Sequence, residues 1–241
     1  MKVHTRLMSF LSVEIKENRP LEKGKYKAVL GFAGAGFIGN TALMFIARSK
    51  GFQQVAAVRS NYIPPMTIIT DGAPMQSFRV HLDEAEKILF IITESLIPAE
   101  GCRPIAEELL RWLKAKGVYE IYSLDGLPFS TVSPEIKALT YTFNIDLSKQ
   151  GYPALKEGAL SGINSCMLEE CVEKRYPFAC IFIPTNRLTN IDYTGTADAI
   201  DVLNKMFKLG VDSSPLRGSK EVQGKAAEQK PSRLGKMFKR D

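Results

Sequence analysis

The chain has 241 residues, 45% of them apolar and 24% charged, enough to bury a sizeable core as one large or two small domains. Its formal net charge of +6 sits at one end, because residues 217–241 hold eight Lys or Arg against three acids while residues 1–216 hold 24 basic and 23 acidic residues. A nearly neutral body without a basic groove interleaved with aromatics argues against nucleic-acid binding.

Residues 1–26 read as a leader with a strand. The apolar run 27–32 leads into GFAGAGFIG, and 37–50 carries Phe37, Ile38, Met44 and Ile46 among small residues before Gly51. This is strand, turn and helix; 54–58 then reads as a second buried strand, so 27–58 makes one βαβ unit of roughly 30 residues. Next, MTIIT, Asp71-Gly72 and PMQSFRVHL predict a β-hairpin with a two-residue turn, where a doubly wound dinucleotide fold would place its next helix. KILFIIT, 87–93, is a buried strand. Residues 104–116 follow as a helix with Pro104 in its first turn and Gly117 just past its end. Strand 118–124, the loop DGLPFS, strand 138–143, helix 162–174 and strand 178–183 continue the alternation. Asp192 approaches a last helix, 196–209, with Ile200, Leu203, Met206 and Phe207 on one face and Gly210 as its stop. Strands separated by helices predict an α/β domain over 27–216: a mainly parallel central sheet, helices on both faces, and a β-hairpin insertion. Residues 217–241 are a basic tail, polar until Leu234, Met237 and Phe238, which recur at helical spacing among Lys236, Lys239 and Arg240. The tail reads either as a solvated appendage or as a short amphipathic segment that docks on a partner.

The glycines offer the one cofactor-like motif. Gly34, Gly36 and Gly39 have the spacing of a dinucleotide-binding turn, which would bring backbone amides to a phosphate at a helix amino terminus. Arg59, Ser60 and Asn61 stand where that motif expects a ribose-binding acid, and a hairpin follows. The same glycines also permit close packing of a helix on a sheet, which is the favoured reading. The alternative is a nucleotide or nucleoside site built from Gly34, Gly36, Gly39, Glu94 and Arg187, with Asp125 and Asn186 also at strand ends. His4 and His81 are the only histidines, and no Ser-His-acid, Cys-His or metal-ligand constellation is built from the two of them in the sequence. Cys102, Cys166, Cys171 and Cys180 lack C-x-x-C spacing and read as buried reduced thiols rather than metal ligands. No cofactor and no catalysis are expected. No apolar run approaches roughly 20 residues, and LMSFLSV is short for a secretory signal, so the expected location is the cytoplasm.

The order of these motifs resembles the proteasome assembly chaperone family of archaea and related chains. The resemblance rests on GFAGAGFIGNTALMFIA, Asp71-Gly72, ITES with Glu94, a helix ending in KGV, LDGL at 124–127, GALSGINSCML, and DYTGTADAIDVLNKMFKLGVD ending at Asp212. It covers roughly residues 27–216. It implies an α/β sandwich similar to purine nucleoside phosphorylases, a homo-oligomer, and a non-enzymatic role with proteasome α subunits or the core particle as partner. In some members the carboxyl-terminal tail docks between α-ring subunits through a hydrophobic residue, Tyr and any last residue. This chain ends Lys239-Arg240-Asp241, so docking here would run through Leu234, Met237 and Phe238. Some relatives carry a general ATP-grasp label; the paired carboxylates and lysines that hold Mg-ATP are not discernible in this body.

Overall fold

The computed structural model describes residues 13–70, 72–129 and 135–217. Ten strands and five α-helices follow along them: β1 (Glu14–Glu17), β2 (Tyr26–Phe32), α1 (Ile38–Lys50), β3 (Gln53–Arg59), β4 (Thr67–Thr70), β5 (Ala73–Gln76), β6 (Phe78–Asp83) and β7 (Ile88–Thr93). Then come α2 (Ala99–Lys116), β8 (Val118–Pro128), β9 (Leu139–Phe143), α3 (Gly162–Glu173), β10 (Phe178–Thr185), α4 (Tyr193–Phe207) and the single turn α5 (Ser214–Arg217).

Eight strands form one sheet in the order β1-β3-β6-β7-β2-β8-β10-β9. Its centre is parallel, with β7, β2, β8 and β10 side by side. Both flanks are antiparallel: β1 on β3, β3 on β6 and β6 on β7 at one edge, and β9 on β10 at the other. The expectation of a mainly parallel sheet is therefore corrected to a mixed one. The reason lies in β6. The stretch PMQSFRVHL breaks at Ser77, so that β5 pairs with β4 as a separate two-stranded arm while β6 enters the main sheet. Only the four residues 84–87 separate β6 from β7, too few for a parallel crossover, so the two must be antiparallel neighbours. β6 and β7 in turn separate β3 from β2, so the βαβ unit read from 27–58 spans two intervening strands.

The pleat sends alternate residues of each central strand into two layers. Ala28, Leu30 and Phe32 of β2, with Val80, Ile91 and Ile121, pack against Ile105, Leu109 and Leu113 of α2 and Met167 of α3. Val29, Phe90, Ile92, Leu124 and Ile181 pack against Ile38, Leu43 and Ile46 of α1 and Ile200 and Leu203 of α4. Helices thus cover both faces. α2 begins at Ala99, before Pro104, which lies inside it. The carbonyl that Pro104 cannot bond belongs to Glu100, an exposed residue that water can satisfy. β1 is held at the sheet edge by Glu17, which accepts from Trp112 Nε1–H at 2.9 Å and pairs with Lys116 at 2.6 Å. At the other end, Arg217 bonds Asp198 at 2.7 Å and Asp201 at 2.6 Å, fixing the point where the described chain ends on α4.

Candidate functional site

The glycine turn joins β2 to α1 at the carboxyl ends of the parallel strands. Gly31 and Gly39 mark its close approach: a Cβ on Gly39 would stand 2.3 Å from the Leu124 carbonyl oxygen, and one on Gly31 would stand 2.4 Å from the Gly39 oxygen. Gly36 has φ +65°, and a Cβ there would meet Thr185 Oγ1 at 3.1 Å. Asp192 stitches this side of the turn. Its N–H donates to the Gly36 carbonyl at 2.9 Å, its Oδ2 accepts from the Thr185 hydroxyl at 2.7 Å, and its Oδ1 caps α4 by accepting from Gly195 N–H at 2.9 Å. Asp192 thus already fills the anion position at the α4 amino terminus.

The other side of the turn faces a cleft of about 350 Å³, walled by residues 33–35, the end of β8 and the start of α3. Its polar centre is Asp125. Oδ1 accepts from Gly126 N–H at 2.8 Å and Oδ2 from Asn164 Nδ2 at 2.7 Å; the Asn164 oxygen accepts in turn from the Ser123 hydroxyl at 2.6 Å. Burial pushes the carboxyl pKa up to about 6, against the two hydrogen bonds that lower it. Phe32, Leu160 and Phe182 supply apolar wall, and no Lys, Arg or His is among the described lining residues.

The residues proposed from the sequence are only partly brought together. Gly34 lines the cleft, whereas Gly36 and Gly39 are buried in packing contacts. Glu94 turns to Arg79 on β6 and accepts two hydrogen bonds at 2.7 Å, both from a guanidinium that is 2% exposed. Arg187 contributes backbone: its N–H donates to Thr185 Oγ1 at 3.0 Å. Its neighbour Asn186 is exposed. His81 is buried beside Arg79, and burial holds its pKa below the ordinary value. Cys102, Cys171 and Cys180 are buried free thiols and Cys166 is half-buried; burial raises all four, Cys171 to about 12. Asp71 and the tail residues Leu234, Lys236, Met237, Phe238, Lys239 and Arg240 lie outside the described residues. Asn164 was not foreseen. Its signal is an Asn at the third position of a predicted helix, where a polar side chain meets the strand ends.

Asp125 makes a testable contribution to the pH dependence of stability. A carboxyl raised from 3.8 to about 6 stabilises the fold fully below the lower value and loses that contribution as pH rises through the upper one, by about 3 kcal/mol at most. Asp125→Asn removes the titration, and a flip of Asn164 with rotation of the Ser123 hydroxyl restores the polar chain. Urea unfolding should therefore show the variant gaining about 2 kcal/mol on the parent between pH 4.5 and pH 7.5. A difference independent of pH would mean that the carboxyl is not desolvated. The titration of His81 is common to both proteins and cancels.

Among the described residues no helix is long and apolar enough to cross a membrane. The chain is similar to PbaA of Pyrococcus furiosus, an archaeal homolog of proteasome-assembly chaperone, at 24% identity over 89% of this chain and 94% of that one, with a TM-score of 0.78. It is also similar to Pyrococcus furiosus PbaB, an archaeal proteasome activator, at 14% identity over 90% of this chain and 99% of that one, with a TM-score of 0.74. An uncharacterized protein of Methanocaldococcus jannaschii, MJ0106, is 22% identical over 230 residues, 95% of each chain. The sequence profile of the PAC2 family matches residues 28–229, and the chain belongs to that family.

Proposed function

We propose that this chain is a non-enzymatic proteasome assembly chaperone or proteasome-binding adaptor. Its body, layered like a purine nucleoside phosphorylase, works as a homo-oligomer in the cytoplasm, and its carboxyl-terminal tail docks on the α ring. The observation that carries this reading is membership of the PAC2 family together with the match of nine-tenths of the chain to PbaA and PbaB. Among the described lining residues of the cleft Asp125 is the one titratable side chain, beside the hydroxyls of Thr93, Ser95 and Ser161. The arm β4–β5 supports self-association. Ile69 of β4 and Met66 just before it are 67% and 46% accessible, and an isolated hairpin is marginal in water until its apolar side is covered.

The tail supports docking by its composition. Lys236, Lys239 and Arg240 would steer it to an acidic surface, and Leu234, Met237 and Phe238 would fill a pocket between subunits. Removing residues 218–241 is expected to weaken binding to α-subunit rings by at least about tenfold, equivalent to about 1.4 kcal/mol, measured by native mass spectrometry and titration calorimetry. Met237→Ser with Phe238→Ser should reproduce most of that loss. Unchanged affinity on truncation would overturn the tail mechanism. Absence of any complex between the intact chain and α subunits or the assembled core would overturn the function itself.

A further inference from the structure

The polar chain at the cleft floor asks for a partner that the described residues do not supply. Asp125 carries four acceptor positions, of which Gly126 N–H and Asn164 Nδ2 take two. Among the described residues no Lys or Arg pairs with it, and its carboxyl borders the cleft between the glycine turn and α3. A largely buried acid is ordinarily compensated by a cation. Here the carboxyl is instead held rigidly: the Ser123 hydroxyl fixes the amide of Asn164, and Asn164 fixes one carboxyl oxygen. A closed structural bond would face protein on every side. Here Oδ1 lies against Gly34, where a Cβ would come within 2.5 Å of it, and the residue also lines open volume of a size suited to a small ligand.

We propose that this cleft binds a small organic molecule whose N–H donor head, neutral or cationic, meets the Asp125 carboxyl while its apolar body lies against Phe32, Leu160 and Phe182. Amines, amidines and amino-substituted heterocycles have this chemistry. Phosphates and carboxylates do not, because they would meet the acid without a basic side chain to offset it. The site therefore departs from the nucleotide reading of the glycine turn, and it stands whether or not the chain binds proteasome subunits.

The test uses the full chain and matched probes: benzamidine against benzoate, and adenine against adenosine 5′-monophosphate. Benzamidine or adenine at millimolar concentration should raise the melting temperature by a few degrees and shift amide NMR signals of residues 33–35, 126 and 161–164. Benzoate and the monophosphate should leave both unchanged. Asp125→Asn should weaken binding of the donor probe at least tenfold. Leu160→Trp, which fills the cleft without touching the acid, should do the same, so the result does not depend on how one variant folds. Flat melting curves and spectra with both donor probes would overturn the proposal. So would equal shifts by benzoate, shifts mapping elsewhere, or full binding by both variants.

Discussion

Gly39→Ala is expected to destabilise the fold by about 3 kcal/mol, although alanine is the better helix former by about 1 kcal/mol. A Cβ at this position would stand 2.3 Å from the Leu124 carbonyl oxygen and 3.3 Å from Gly31 Cα. Both neighbours are backbone of central strands, β8 and β2, and neither can turn aside as a side chain would. α1 must then lift from the sheet, and Leu43, Ile46 and Val29 lose contacts in one of the two cores. Gly51→Ala is the control. Gly51 has φ +66° with nothing within 4 Å of the added Cβ, so it should cost only the left-handed backbone penalty of about 1 kcal/mol. Chemical denaturation of both variants separates close packing from conformational freedom. A Gly39→Ala protein as stable as the parent would overturn the packing account of the turn.

That account explains why a motif with the spacing of a cofactor turn was legible in the sequence while its purpose was not. Gly34, Gly36 and Gly39 give the same pattern whether the close neighbour is a phosphate or a carbonyl, and only the topology shows Leu124 in that place. The helices and central strands were readable because their periodicity is local. The four parallel strands are the ones the sequence separates by helices or long connections. The antiparallel flank of the sheet was harder. FRVHL presents Arg79 and His81 at alternate positions, the pattern of a strand with one solvated face, yet all six residues of β6 are buried. What buries them is pairing across strands, from Glu94 on one side and the Phe52 carbonyl on the other. The cleft divides in the same way. Asp125 was visible as an acid at a strand end, while Asn164 approaches it from 39 residues away, and its place at the third position of a helix does not say which strand end it meets.

The same network carries the second large effect. Arg79 donates to both Glu94 oxygens at 2.7 Å, to the Gln76 carbonyl at 3.0 Å and, through Nε, to His81 Nε2 at 3.2 Å. His81 accepts there in its neutral form while Nδ1–H donates to the Phe52 carbonyl at 2.9 Å. Arg79→Met leaves a carboxylate that is 14% exposed without its cation, and a loss of about 3–5 kcal/mol is expected. Arg79→Met with Glu94→Leu removes both charges and should recover much of that loss, because the penalty lies in the abandoned partner rather than in the missing attraction. Acidity supplies an independent reading. Burial lowers the His81 pKa, its bond to Phe52 opposes this, and the Arg79 charge lowers it further. A folded pKa below 6.5 means that His81 contributes its full stability above that value and loses it as pH falls, when protonation sets two donors against each other at Nε2. In Arg79→Met that opposing donor and charge are gone, so its stability should fall less steeply between pH 7 and pH 5 than that of the parent. Equal slopes, or a single variant within 1 kcal/mol of the parent, would show that the antiparallel flank of the sheet is held by its apolar layer alone.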